Sequence, residues 1–293
     1  MRLYAALATV YVVWGSTYLA IRVVVETIPP LLGAAARFLP AGVIVLAVLG
    51  VRAGRGRLRC SRRELASAGL VGALLLLGGN GLVSVAELEA PSGLAALLIG
   101  AVPLWVIVLR LVARDRVPAV TLAGVAVGFL GVAALVVPGD RPDGAPLWSV
   151  LVLVAAALSW ATGSFLSPRL PSPRDVFLTA GLQMVLGGLA LLVAGVAAGE
   201  LDQAEVSHFS GRSLIALAYL LVCGSLLAYI AYVWLLQHAP ISTVATYAFV
   251  NPVIAVLLGW ALLDEEVTWA MGLGAVAIVA SVASVVRKEG SER

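Results

Sequence analysis

Charge is scarce in this chain. Only 12% of its 293 residues are charged, 61% are hydrophobic, and the mean hydropathy is +1.05. A soluble domain carries about 25% charged residues. No soluble fold of this length has an interior large enough to hide so much apolar surface, so most of the chain must be solvated by lipid. Lysine is nearly missing. Lys288 is the single one, and arginine supplies the remaining basic charge behind a pI near 9.1. Histidine is limited to His208 and His238, far apart in loops, with no His-x-x-x-His and no Cys–His cluster. The usual donor sets for a metal centre or an acid–base pair are therefore missing, and no metal, cofactor or catalytic residue is expected. Cysteine is limited to Cys60 in a basic loop and Cys223 in an apolar run, so no structural disulfide is expected. A Walker-type phosphate loop is also lacking, which argues against an ATP-driven pump.

What is present is a series of long apolar runs joined by short polar links. Ten can be marked, at about 4–24, 30–50, 65–86, 91–111, 118–137, 147–167, 176–196, 213–236, 241–262 and 268–286. Runs of about twenty residues match a hydrocarbon core roughly 30 Å thick at 1.5 Å per helical residue. They are too long and too uniformly apolar for barrel strands, which alternate over about ten residues. Turn chemistry marks several links, such as Ile28-Pro29-Pro30 and Pro138-Gly139-Asp140. The first run is read as a retained helix and not a cleaved leader. Its only early cation is Arg2, and Arg22 through Glu26 makes a poor small-residue cleavage site.

The basic residues set an orientation. With the N-terminus inside, the cytoplasmic links receive fifteen: Arg2, the cluster from Arg52 to Arg63, then Arg110, Arg114, Arg116, Arg169, Arg174, Arg287, Lys288 and Arg293. The outer links receive Arg141 and Arg212 alone, while Arg22 and Arg37 lie within helices. The expectation is a multi-pass protein of the cytoplasmic membrane with both termini cytoplasmic. The basic charge reads as topology, so no nucleic-acid partner is expected; the bilayer and a small-molecule substrate are.

The chain also repeats itself. Trp14 precedes Arg37 by 23 residues, and Trp160 precedes Gln183 by the same interval. Ala90-Pro91 is followed twelve residues later by Pro103, and Ala239-Pro240 twelve residues later by Pro252. Val117 and Gly124 recur 150 residues on as Val267 and Gly274. The two copies span 1–138 and 147–287, with five predicted helices each. An odd number forces the copies into opposite orientations. The fold class expected is an all-α membrane protein of ten transmembrane helices, an inverted repeat of two five-helix units. Such repeats are a signature of many secondary transporters, because the halves can exchange roles.

Those residues also resemble a known family. Trp14-Gly15-Ser16, the stretch from Pro30 to Arg37-Phe38, and Ala90-Pro91-Ser92-Gly93-Leu94-Ala95-Ala96-Leu97-Leu98 leading to Pro103-Leu104 carry the resemblance in the first copy. Asn251-Pro252 and Asp264-Glu265-Glu266-Val267-Thr268 carry it in the second. Over nearly its whole length the chain resembles ten-helix permeases of the drug/metabolite transporter superfamily with two EamA domains. Where that family often has Gly-Glu after its fourth and ninth helices, this chain has Arg114-Asp115 and Asp264-Glu265. The resemblance implies a secondary transporter for small metabolites, such as amino acids or related amphipathic solutes, with efflux as the family habit. The alternatives are a passive channel or facilitator and, with little in the residues to support it, an integral-membrane enzyme.

Polar groups inside a membrane are costly, so their positions point to a binding cavity or to helix contacts. Tyr11, Trp14 and Tyr18 share one face of the first helix, with Ser16 beside it. Arg37 lies about 10 Å into the second helix. It either receives a substrate carboxylate or serves structure by pairing with Glu87 or carbonyls. Asn80, Trp160, Ser164, Gln183, Tyr229, Tyr247 and Asn251 complete the candidate substrate-binding set. Pro103 and Pro252 each free a carbonyl one turn earlier and are candidates for a gate or helix break. The acids fall at helix ends or in loops. No intramembrane carboxylate is expected, and exchange is expected to persist without a proton gradient.

Overall fold

The computed structural model describes residues 2–115, 117, 119–136, 145–244, 246–269, 271–277 and 280. Among them there is no strand. The helices are α1 (Arg2–Val25), α2 (Pro30–Ala53), α3 (Arg62–Ala86), α4 (Ser92–Val112), α5 (Ala119–Val136), α6 (Leu147–Leu166), α7 (Val176–Ala197), α8 (Gly211–His238), α9 (Ile241–Val244) and α10 (Tyr247–Leu263), followed by a helical stretch at 271–277. Among the described residues, α1 to α4 and α6 to α8 are the seven long and apolar enough to cross a membrane. The link Pro138-Gly139-Asp140 and, of the predicted 268–286 segment, residues 270, 278–279 and 281–286 lie outside the described residues.

Local chemistry sets the helix ends. Ser61 accepts from the Glu64 amide at 3.2 Å while Glu64 accepts from the Ser61 amide at 2.7 Å, a capping box that starts α3. Asp175 caps α7 through the amides of Phe177 and Leu178. Pro30, just inside α2, has no amide to leave unpaired. Arg114 and Asp264 are the only non-glycine residues with positive φ among the described residues, at 60° and 55°. Each ends a helix in the left-handed conformation, which usually falls to glycine, and each is followed by an acid.

Regular α-helix is interrupted at four places. α4 loosens at Gly100–Ala101, directly before Pro103. The predicted helix 241–262 is split into α9 and α10, well before Pro252, which stays inside α10. α3 and α8 widen into π-helix over Ala73–Gly81 and Leu220–Tyr229. Such bulges are frequent at functional sites, because they free carbonyls and shift side chains around the axis.

Packing relies on close backbone approach. α2 and α7 make the most extensive contact. A Cβ at Gly42 would lie 2.8 Å from the Val185 amide nitrogen, and one at Gly188 would lie 2.9 Å from that of Leu39. Only glycine permits this, as small residues do between membrane helices. α1 runs through the middle, against α4, α8 and α10, while α3 packs on α6 and α7. The outer faces carry exposed Val51, Val193, Ile215, Leu257 and Trp260, a surface suited to lipid and not to water.

Candidate functional site

A small cavity lies at the centre of the bundle. It is lined by Trp14, Thr17, Tyr18 and Ile21 of α1, Arg37 of α2, Gly79, Asn80 and Val83 of α3, Ile99 of α4, Trp160 of α6 and Tyr247 of α10. Its volume is about 40 Å³. A water needs about 10–15 Å³ of such space, so the cavity has room for only a few waters.

An aromatic cluster forms one side. Trp14 packs edge-on to Trp160 at 5.3 Å between centroids and to Tyr247 at 5.7 Å, and against Tyr232 at 4.7 Å. Edge-to-face pairs contribute about 0.5–1.5 kcal/mol each beyond area burial. Hydrogen bonds fix the rings. The Trp160 Nε1 donates to the Tyr232 hydroxyl at 3.2 Å, and that hydroxyl meets Ser164 Oγ at 2.6 Å. Trp14 Nε1 reaches the Gly224 carbonyl at 3.4 Å.

Among the described lining residues Arg37 supplies the cavity's only cation, and it is 4% exposed. Its Nε donates to Ser225 Oγ at 2.8 Å, its Nη1 points to Asn80 Oδ1 at 3.4 Å, and its guanidinium lies 4.3 Å from the Phe38 ring centroid. The π-helical stretches place these partners: Asn80 sits in that of α3, and Gly224 and Ser225 in that of α8. A Cβ at Gly224 would stand 2.8 Å from Arg37 Nη2, so the missing side chain makes room for the guanidinium. Among the described residues no carboxylate lies within ion-pair distance of Arg37. The pairing with Glu87 that the sequence allows does not form.

Trp14, Tyr18, Arg37, Asn80, Trp160 and Tyr247 of the sequence candidates thus share one cavity. The other five have partners away from it. Ser16 meets the Tyr219 hydroxyl and its own helix at Val13. Ser164 supports Tyr232. Gln183 accepts from the Tyr229 hydroxyl at 3.0 Å, stitching α7 to α8. The Asn251 amide, with its nitrogen toward them, donates to the carbonyls of Tyr247 and Tyr11 at 3.2 and 3.1 Å, tying α10 to α1. Pro103 lies in the first turn after the α4 interruption, and Pro252 packs on it from α10: a Cβ at Gly100 would be 3.2 Å from Pro252 Cγ. Thr17, Ile21, Val83 and Ile99 line the cavity without being sequence candidates. Ile21 and Val83 carry no polar signal, but both continue the helical faces begun by Tyr18 and Asn80.

The two ends of the bundle are held differently. At one end Glu265 accepts from the Ser92 amide at 2.8 Å, the Ser92 hydroxyl at 2.9 Å and the Gly93 amide at 3.1 Å, so it caps α4 from the far side of the chain. Glu200 likewise caps α2 through the amides of Leu31 and Leu32. Arg22 donates to the carbonyls of Glu87 and Leu88. A polar vestibule of about 560 Å³, bordered by Arg22, Glu26, Glu89, Arg212, Asp264 and Glu265, opens there. At the opposite end Asp115 is partly exposed and pairs with Arg169 at 3.2 Å and Arg110 at 3.6 Å, and Arg57 pairs with Asp175 at 3.2 Å.

Comparison with known proteins agrees with this architecture. The EamA-like transporter family matches residues 2–137 and again 147–287. The chain is 38% identical to the "Uncharacterized inner membrane transporter YedA" of Escherichia coli (strain K12), over 94% of this chain and 89% of that protein. It is 29% identical to "Protein PecM" of Dickeya dadantii over 92% and 87% of the two chains, and 25% identical to the "Uncharacterized transporter YoaV" of Bacillus subtilis over 94% and 93%. A crystal structure superposes with a TM-score of 0.67 at 20% identity, covering 100% of this chain and 98% of the other, a likeness of fold alone.

Proposed function

Because this chain belongs to the EamA-like transporter family, we propose that it is a secondary carrier for small amphipathic solutes bearing a carboxylate, amino acids or their relatives, and that it works by alternating access. The central cavity carries this reading. It sets one buried cation, Arg37, opposite a wall of Trp14, Tyr18, Trp160 and Tyr247. A solute with an apolar or aromatic body and a carboxylate satisfies both sides at once. Arg37 has donors to spare, because a guanidinium offers five N–H groups. Its bonds to Ser225 and Asn80 hold it in place without neutralising it.

The proposed frame is ten transmembrane helices in two inverted five-helix copies, with both termini cytoplasmic and net movement outward. Several features support it. The family matches twice, the left-handed residues Arg114 and Asp264 lie 150 positions apart, and the π-helical stretches of α3 and α8 fall at corresponding places in the two copies. The fifteen-to-two distribution of basic residues supports the orientation. The relatives YedA and YoaV are named as transporters, and carriage of a solute needs no reacting group in the cavity.

The test is counterflow in proteoliposomes with labelled tryptophan as the probe. Saturable exchange is expected; flux that rises linearly with concentration would mark a channel. Arg37→Gln is expected to lower exchange at least tenfold while the protein still inserts and purifies as a monodisperse species. Loss of the folded protein, with no selective loss of exchange, would assign Arg37 to structure. Toxicity rescue of a sensitised bacterium by expression would support export, and growth rescue would support import.

A further inference from the structure

Glu87 stands out as a buried acid that no part of the proposed cavity chemistry uses. It follows α3 directly, at the helix C-terminus, and is 0% exposed. Both carboxyl oxygens are buried without a hydrogen-bond partner among the described residues. That contrasts with Glu200 and Glu265, whose carboxylates are taken up by helix amides. An unpaired buried carboxylate is costly when charged and far less so when neutral.

Its position is informative. Tyr18 and Val83 line the central cavity. Arg22 and Glu87 follow them by four residues each, one helical turn nearer the vestibule. Arg22 borders the vestibule and spends its guanidinium on the backbone carbonyls of Glu87 and Leu88, not on the carboxylate. Glu87 therefore sits in the partition between cavity and vestibule. Its ionisable neighbours are Tyr18 and Arg22 from α1 and Glu265 from the segment after α10. On α2 the ionisable group nearby in the bundle is Arg37, engaged with Ser225 and Asn80, and α6 carries none. Burial, together with the charge of Glu265, pushes the Glu87 carboxyl well above the usual carboxylate range, and Arg22 opposes that.

We propose that Glu87 is a proton-binding site in this partition, neutral in the closed arrangement described here, and that its proton is exchanged as the vestibule end opens. A metal cation would need several further oxygen ligands, and an organic cation would need space; the unpartnered carboxyl offers neither. A proton needs only the one carboxylate. On opening, water reaches the group, and Arg22 is close enough to turn from the carbonyls to the carboxylate. Both favour loss of H⁺ to the vestibule, leaving the anion. Coupling to solute movement rests on the carrier reading above; the protonation itself does not. By sequence the acid is peripheral, because it ends a helix. Burial by α1 and by the chain around Glu265 makes it internal.

Two measurements decide this. The first is infrared spectroscopy of protein labelled with ¹³C-glutamate, in lipid nanodiscs at neutral pH. A carbonyl stretch of a neutral glutamic acid is expected in the wild type and is lost in Glu87→Gln. No such band in the wild type overturns the proposal, whether or not the variant folds. A band that survives unchanged in a folded Glu87→Gln also overturns it. Thermal unfolding against pH probes the same proton by linkage. A raised folded-state pKa means the folded state holds more protons, so wild-type stability falls as pH rises from the ordinary carboxylate range to the raised value. The folded-to-unfolded ratio of wild type relative to Glu87→Gln should fall by up to about tenfold per pH unit there; parallel curves for the two proteins would contradict it.

The second measurement addresses coupling. In proteoliposomes with an imposed pH gradient, wild type is expected to accumulate labelled tryptophan, while Glu87→Gln exchanges it but does not accumulate it. Equal accumulation by both removes Glu87 from coupling. Failure of wild type to exchange tryptophan at all would count against the carrier reading for that solute, and the infrared band would still decide the protonation.

Discussion

Asp115 and Glu265 occupy corresponding places in the two halves, 150 residues apart, each after a left-handed residue, yet they hold their ends of the bundle by different physics. Glu265 is 9% exposed and gives its carboxylate to three donors at the start of α4. Asp115 has a side chain 37% exposed and pairs with two arginines at the surface. A carboxylate on unpaired helix amides in a buried setting is worth about 0.5–2 kcal/mol. Surface ion pairs contribute about 0–1 kcal/mol and weaken with salt. Near-equivalent sequence therefore produces a firm closure at one end and a loose one at the other. If the halves exchange roles, as proposed, this structure records one side of that exchange.

The comparison can be broken most sharply at Glu265. Glu265→Ala leaves the amides of Ser92 and Gly93 without their acceptor and is expected to cost about 2 kcal/mol, read as a lowered melting temperature in detergent. It is also expected to raise the thiol reactivity of a Ser92→Cys reporter. An unchanged melting temperature would remove the distinction between the ends. A smaller effect is expected from Asp115→Asn, at most about 1 kcal/mol. Raising the salt concentration should shrink the difference between that variant and wild type, while the Glu265→Ala difference holds. The smallest expected change has the opposite sign. Arg114→Gly relieves a left-handed backbone at φ 60° and should stabilise by about 1 kcal/mol. Asp264→Gly should gain less, because aspartate visits that region more readily. Destabilisation at Arg114 would show that its side chain matters more than its backbone.

The helices are legible in the sequence because lipid imposes a length on apolar runs, and the polar links between them are short. The long runs map onto α1 to α8 with ends differing by a few residues. The split between α9 and α10 is not legible. α9 ends at Val244 and α10 begins at Tyr247, and neither proline nor glycine lies between Thr243 and Tyr247 in the sequence. The π-helical stretches are equally hidden, since they depend on how neighbouring helices fill the space around Gly79 and Gly224. On the site, aromatic and charged residues are informative: Trp14, Tyr18, Arg37, Trp160 and Tyr247 meet at one cavity. The smaller polar groups divide. Asn80 faces the cavity, whereas Ser164, Gln183 and Asn251 bind other helices. A hydrogen-bonding group within a bilayer meets the same need by stitching helices as by greeting a solute, and sequence spacing does not separate the two. Glu87 is named by the sequence only as a possible partner of Arg37, and its burial escapes a sequence reading for a related reason. Its depth comes from chain segments far away in sequence that fold over it.

The tight central cavity has a consequence for the cell that hosts the protein. At about 40 Å³ it has room for only a few waters. So little water at the centre works against a leak of ions through the bundle. A carrier that rests in such a state lets many copies sit idle in a membrane with its ion gradients kept.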